Sequence, residues 1–142
     1  MRRKGIILFV LGLLVLCVAG AAAQEITAQN PIIWADVPDP SIIRVGDTYY
    51  MTSTTMHMNP GVPIMKSTNL VDWEIVNYVY DILGSSDAQT LSNGKDEYGR
   101  GSWASSLAYK DGIFYVAFSS QTEGKTFIFS TEDIENPILY GN

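Results

Sequence analysis

The chain has 142 residues, 46% of them hydrophobic and 17% charged, with a formal net charge of −6. That length suits one compact domain, and the composition excludes disorder along the whole chain. Arg2, Arg3 and Lys4 account for three of the nine basic residues, and acids prevail elsewhere. With no Lys/Arg stripe to grip a phosphate backbone, nucleic-acid binding is disfavoured.

Residues 1–23 read as a secretory signal peptide. Their order is a basic start (Met1 to Lys4), an apolar run over residues 5–20 and the small-residue end Ala21-Ala22-Ala23. A permanent membrane anchor is the competing reading, but the run falls short of the roughly 20 residues a spanning helix needs. Cys17 follows the bulky Leu16, which argues against lipoprotein processing. Cleavage near Ala23 is expected to send residues 24–142 to the periplasm or outside the cell, with no permanent membrane span. Because Cys17 is the single cysteine, the exported chain would hold no disulfide, thiol nucleophile or cysteine-based metal site.

The exported part reads as strands. Residues 41–45 and 48–54 are rich in β-branched and aromatic side chains and flank Gly46-Asp47, which predicts a hairpin. Further strands are expected over 63–67 and 73–80. A second hairpin is expected over 106–110 and 113–119 around Asp111-Gly112, followed by a strand over 125–131. No stretch carries a convincing helical period.

The pattern repeats: Tyr115 follows Tyr50 by 65 residues, and Ser130-Thr131 follows Ser67-Thr68 by 63. Propeller blades recur at periods of about 40–50 residues, and a propeller closes with roughly 4–8 blades. This chain is expected to supply about two, leaving apolar faces and sheet edges open; truncation at Asn142 is the expectation that follows. Two unrelated hairpins of a sandwich are the rival architecture. Between the units, residues 81–102 form a long polar connection, of a kind that is either functional or disordered.

Candidate chemistry precedes the first hairpin. Pro38 and Pro40 bracket Asp39 and bias it towards a stiff, extended conformation at the entry of a strand. In a propeller such an acid would face the central cavity, where it could take a proton from water. A turn-forming acid that only organises backbone hydrogen bonds has the same local pattern, and spacing leaves both readings open.

Asn30-Pro31-Ile32-Ile33, Pro38-Asp39-Pro40-Ser41 and the hairpin after it resemble the opening of glycoside hydrolase family 43. So do Pro60-Gly61-Val62-Pro63-Ile64, Leu70-Val71-Asp72-Trp73-Glu74, Gly101-Ser102-Trp103-Ala104 and Asp111-Gly112-Ile113-Phe114-Tyr115. The resemblance implies an all-β, five-bladed β-propeller, with residues 24–142 as its N-terminal part. It also implies an inverting mechanism, which uses two carboxyl groups roughly 6.5–9.5 Å apart.

Under this resemblance Asp39 is the general base, and Trp103, Met56 and His57 border the sugar. Asp36 is expected to be a surface or supporting acid. The general acid and a third carboxylate would lie beyond Asn142, since none of Glu74, Glu97, Glu123, Glu132 and Glu135 matches the acid's motif. The family usually has Pro after its Trp-Ala pair, where this chain has Ser105. The implied substrate is a β-xylosyl or α-L-arabinofuranosyl end of a plant polysaccharide, with the Pro60–Ile64 loop favouring the xylosidase-like branch. No organic cofactor is implied. Some relatives carry a calcium near the propeller axis, for which this stretch shows no ligand set, and a lone histidine makes no metal site. A non-catalytic, carbohydrate-binding propeller at the cell surface is the alternative. The 142-residue piece alone is expected to be inactive and poorly soluble.

Overall fold

A computed structural model describes residues 25–56, 59–136 and 140–141. The expected signal peptide therefore lies outside the described residues. The strands are β1 (Ser41–Val45), β2 (Thr48–Thr52), β3 (Gly61–Ser67), β4 (Glu74–Tyr80), β5 (Ser106–Lys110), β6 (Ile113–Ser120), β7 (Lys125–Thr131) and β8 (Tyr140–Gly141). They form two four-stranded sheets, ordered β1-β2-β3-β4 and β5-β6-β7-β8. All pairings are antiparallel.

Both expected hairpins are present. The first turn places Gly46 at φ +61°, and the second places Asp111 at +52° and Gly112 at +85°. Paired positive φ is the type I′ pattern, whose twist matches that of the flanking strands. Strand β3 begins at Gly61, two residues before the expected start, and β8 was not foreseen.

Alternation decides which side chains share a face. Ile42, Met51, Met65 and Ile75 are cross-strand neighbours in one row across the first sheet. Tyr50, Val62, Ile64, Val79 and Tyr80 pack against Leu107, Phe114, Val116, Phe118 and Phe129 of the second sheet. Aromatic rings stiffen this contact: Tyr80 stacks on Phe118 at 5.5 Å, and Tyr50 meets the edge of Phe114 at 5.3 Å.

The repeat distinguishes blades from a sandwich. The 65-residue offset equates Ile42 with Leu107 and Met51 with Val116. Leu107 and Val116 face the first sheet and are buried, whereas Ile42 lies in the row on that sheet's other face and is half exposed. Equivalent faces thus point the same way around the molecule, each sheet offering one face to a predecessor and the other to a successor. A sandwich would bury equivalent faces against each other. The two sheets are therefore successive blades.

The connection over residues 81–105 is folded. It buries Gln89 and Glu97 to 1% and 2% exposure, and its turns close through bonds such as Thr90 N to Ser86 O. The innermost strands meet where the Leu107 amide donates to Ser41 Oγ at 3.0 Å. Asp39 stands just before β1 at this convergence.

Candidate active site

Asp39 departs from the expected extended backbone. Its φ is +50°, a left-handed conformation disfavoured for a residue with a Cβ and more so before proline. Such strain persists only where surrounding contacts over-determine it. Those contacts come from Thr54, 15 residues on. Its hydroxyl donates to Asp39 Oδ2 at 3.0 Å, and its amide donates to the Pro38 carbonyl at 3.1 Å. Thr54 is buried, while Asp39 is exposed at the surface.

Val62 repeats the arrangement. It lies at φ +54° before Pro63 and is fully buried, and its amide donates to Thr55 Oγ1 at 2.9 Å. Adjacent threonines therefore hold two strained residues, each preceding a proline.

The run Thr52-Ser53-Thr54-Thr55 is buried throughout and joins the two blades. Ser105 Oγ donates to Thr52 Oγ1 at 2.8 Å, and the hydroxyls of Thr55 and Ser102 share a 2.7 Å hydrogen bond. The Gly101 amide donates to the Met56 carbonyl at 2.5 Å. A side chain at 101 would collide with that carbonyl, since a Cβ there would stand 2.7 Å from its oxygen.

These bonds bring Asp39, Met56 and Trp103 to one seam. Trp103 is half buried, its amide donates to Ser119 O at 2.9 Å, and its indole Nε1 is buried with no hydrogen-bond partner among the described residues. His57 lies outside the described residues. Asp36 is exposed and, with Val37, Thr54 and Thr55, lines a cavity of about 350 Å³ that Asp39 does not line.

Sequence reasoning missed Thr54, although four consecutive small hydroxyl residues leaving a strand was an available signal. It also gave Glu97 no structural role. Burial pushes the Glu97 carboxyl above its usual range; the Thr122 hydroxyl opposes the rise, and the charge of Glu123 adds to it. At 2% exposure it is sealed from any substrate. Glu74 and Glu135 flank Lys66 towards the opposite end of the sheets, at 3.5 and 2.6 Å. Lys66 holds the Glu135 carboxyl below its usual range.

Among the described residues no group of three or more His, Cys, Asp or Glu is placed to hold a metal ion. Nor is any helix among them long and apolar enough to cross a membrane.

Fold and seam define a β-propeller protein with one exposed, strained carboxylate at the entry of its innermost strand. The signature of the family described as glycosyl hydrolases family 43 matches residues 28–138, and the chain belongs to that family. The family's propeller has five blades, of which the described residues form two.

A β-xylosidase of Formosa agariphila is 37% identical over 111 residues, covering 78% of this chain and 18% of that protein. A non-reducing end α-L-arabinofuranosidase of Bacteroides ovatus is 37% identical over 101 residues, covering 71% of this chain and 18% of that protein. Among solved structures, a bifunctional GH43-CE protein of Bacteroides eggerthii has a TM-score of 0.77 and 54% identity, covering 81% of this chain and 15% of that one. The chain thus spans about a fifth of the length of the curated relatives it matches.

Proposed function

We propose that the whole protein is an exported, inverting exo-glycosidase that removes β-xylosyl or α-L-arabinofuranosyl ends from plant hemicellulose, with Asp39 as its general base. The observation that carries this reading is the placement of Asp39. Its carboxylate is solvent-accessible at the convergence of the innermost strands, one oxygen is held by Thr54, and the backbone is strained in a way typical of functional positions.

In the proposed reaction Asp39 takes a proton from water as the oxygen attacks the anomeric carbon. The glycosidic bond breaks on the opposite face, and a second carboxyl group protonates the leaving oxygen. This stretch supplies the base; the acid and the third carboxylate belong to the other blades. Trp103 offers an aromatic wall to the apolar face of the sugar, with Met56 bordering it; His57 is retained as a candidate contact from the family resemblance alone. The names of the relatives support a xylosidase or arabinofuranosidase, and the Pro60–Ile64 loop favours the former. The basic–apolar–small order of residues 1–23 supports export. The binding-only alternative is not retained, because those relatives are named as hydrolytic enzymes.

The test is hydrolysis of 4-nitrophenyl β-D-xyloside and α-L-arabinofuranoside by the whole protein and by Asp39→Asn. Loss of a general base is expected to lower kcat by about 10²–10⁴-fold, and NMR should show the inverted anomer first in the wild type. Wild-type rates in Asp39→Asn would remove the base assignment.

A further inference from the structure

We propose that Thr54 is the positioning residue of the general base, a role that rests on the reading of Asp39 above. The geometry is a two-point clamp. The Thr54 hydroxyl donates to Asp39 Oδ2 at 3.0 Å, and its amide donates to the carbonyl of the preceding Pro38 at 3.1 Å. Among the described residues, the Thr54 bond is the one hydrogen bond that the Asp39 side chain makes. A single anchor on Oδ2 stops the carboxylate from turning about its terminal torsion, which is otherwise broad. Oδ1 is then left to receive the proton of the attacking water.

The clamp is rigid because Thr54 cannot move. It is 4% exposed and lies between two neighbours with bonds of their own. Ser53 is 2% exposed, and Thr55 is held by Ser102 Oγ and by the strained Val62 amide. The left-handed φ of +50° at Asp39 belongs to the same device. Relaxing it would swing the carboxylate off the seam, and the bond to Pro38 prevents that. Thr54 does not touch the sugar in this reading; it acts through Asp39. Its loss therefore weakens an arrangement needed in the transition state and leaves ground-state binding intact.

The experiment compares Thr54→Val, Thr54→Ser and Asp39→Asn in the whole protein on both aryl glycosides, with melting temperatures recorded for each. Valine keeps the shape and the amide but removes the hydroxyl; Thr54→Ala serves if valine is not accommodated. Misplacing a catalytic group by about 1 Å costs on the order of 100-fold, so Thr54→Val should lower kcat about ten- to a hundredfold with KM changed less than about threefold. Thr54→Ser, which restores the donor, should recover most of the rate.

A Thr54→Val enzyme at the wild-type kcat, beside an inactive Asp39→Asn, would overturn the proposal and leave the base in place. So would a Thr54→Ser enzyme as slow as the valine variant, because the hydroxyl would then not be what matters. An active Asp39→Asn would instead remove the base, and the clamp with it.

Discussion

Gly61→Ala probes the packing between the blades directly. A Cβ at residue 61 would stand 2.1 Å from both Cζ and Oη of Tyr80 and 2.7 Å from its Cε1. Non-bonded carbons settle at about 3.5–4.0 Å, so the ring would have to retreat by more than about 1 Å. It has nowhere to go. Tyr80 is 8% exposed and stacked on Phe118 at 5.5 Å, with Phe127 and Phe129 packed behind at 5.6 and 5.7 Å from Phe118. Overpacking of this kind costs about 1–3 kcal/mol. Urea unfolding of the whole protein, following the first transition that involves these blades, would measure the loss. A Tyr80→Ala background removes the obstacle, so a double-mutant cycle should return a coupling of the same size. Gly46→Ala is the control: it meets nothing within 4 Å and is strained only by φ +61°, so its cost should not depend on Tyr80. Wild-type stability in Gly61→Ala, or an equal cost with and without the Tyr80 ring, would refute the reasoning.

Glu97→Gln should raise stability at neutral pH. The folded carboxyl is raised by burial, with Thr122 opposing and Glu123 adding, so the folded state holds its proton more tightly than the unfolded chain. The wild type is then most stable below the ordinary carboxylate range and loses stability as pH rises through the raised value. Melting curves from pH 4 to 8 should be flatter in the glutamine variant, and parallel curves would count against this account. Asn77→Ala tests the tie at the other end of the seam. Asn77 Nδ2 donates to Ile134 O at 3.1 Å and to Asn136 O at 2.7 Å, binding the segment after β7 to β4. Leaving the buried Ile134 carbonyl without its donor should cost about 1–3 kcal/mol and speed amide exchange over residues 132–136; unchanged exchange would show that the tie is not needed.

Much of the fold was legible because its causes are local. Gly46-Asp47 and Asp111-Gly112 announce hairpins by their tolerance of positive φ, and the alternation after them places strands to within a residue or two. The short β8 carried no comparable pattern. In the candidate site, Pro38 and Pro40 singled out Asp39, but they also predicted the wrong backbone conformation for it. Steric preference at one residue amounts to a kcal/mol or so, and a bond from Thr54 together with the packing of the seam is enough to reverse it.

The sequence by itself determined the all-β character and the two hairpins, which depend on side chains within a few positions of one another, and it marked Asp39 between two prolines as a candidate. Tertiary structure alone decided that Asp39 turns left-handed beside Thr54, that Thr55 meets Ser102 across 47 positions, and that Glu97 is buried. Those outcomes depend on which distant residues the sheets bring into contact, and a hydrogen bond or a buried charge has no strength until its partner or its solvent is specified.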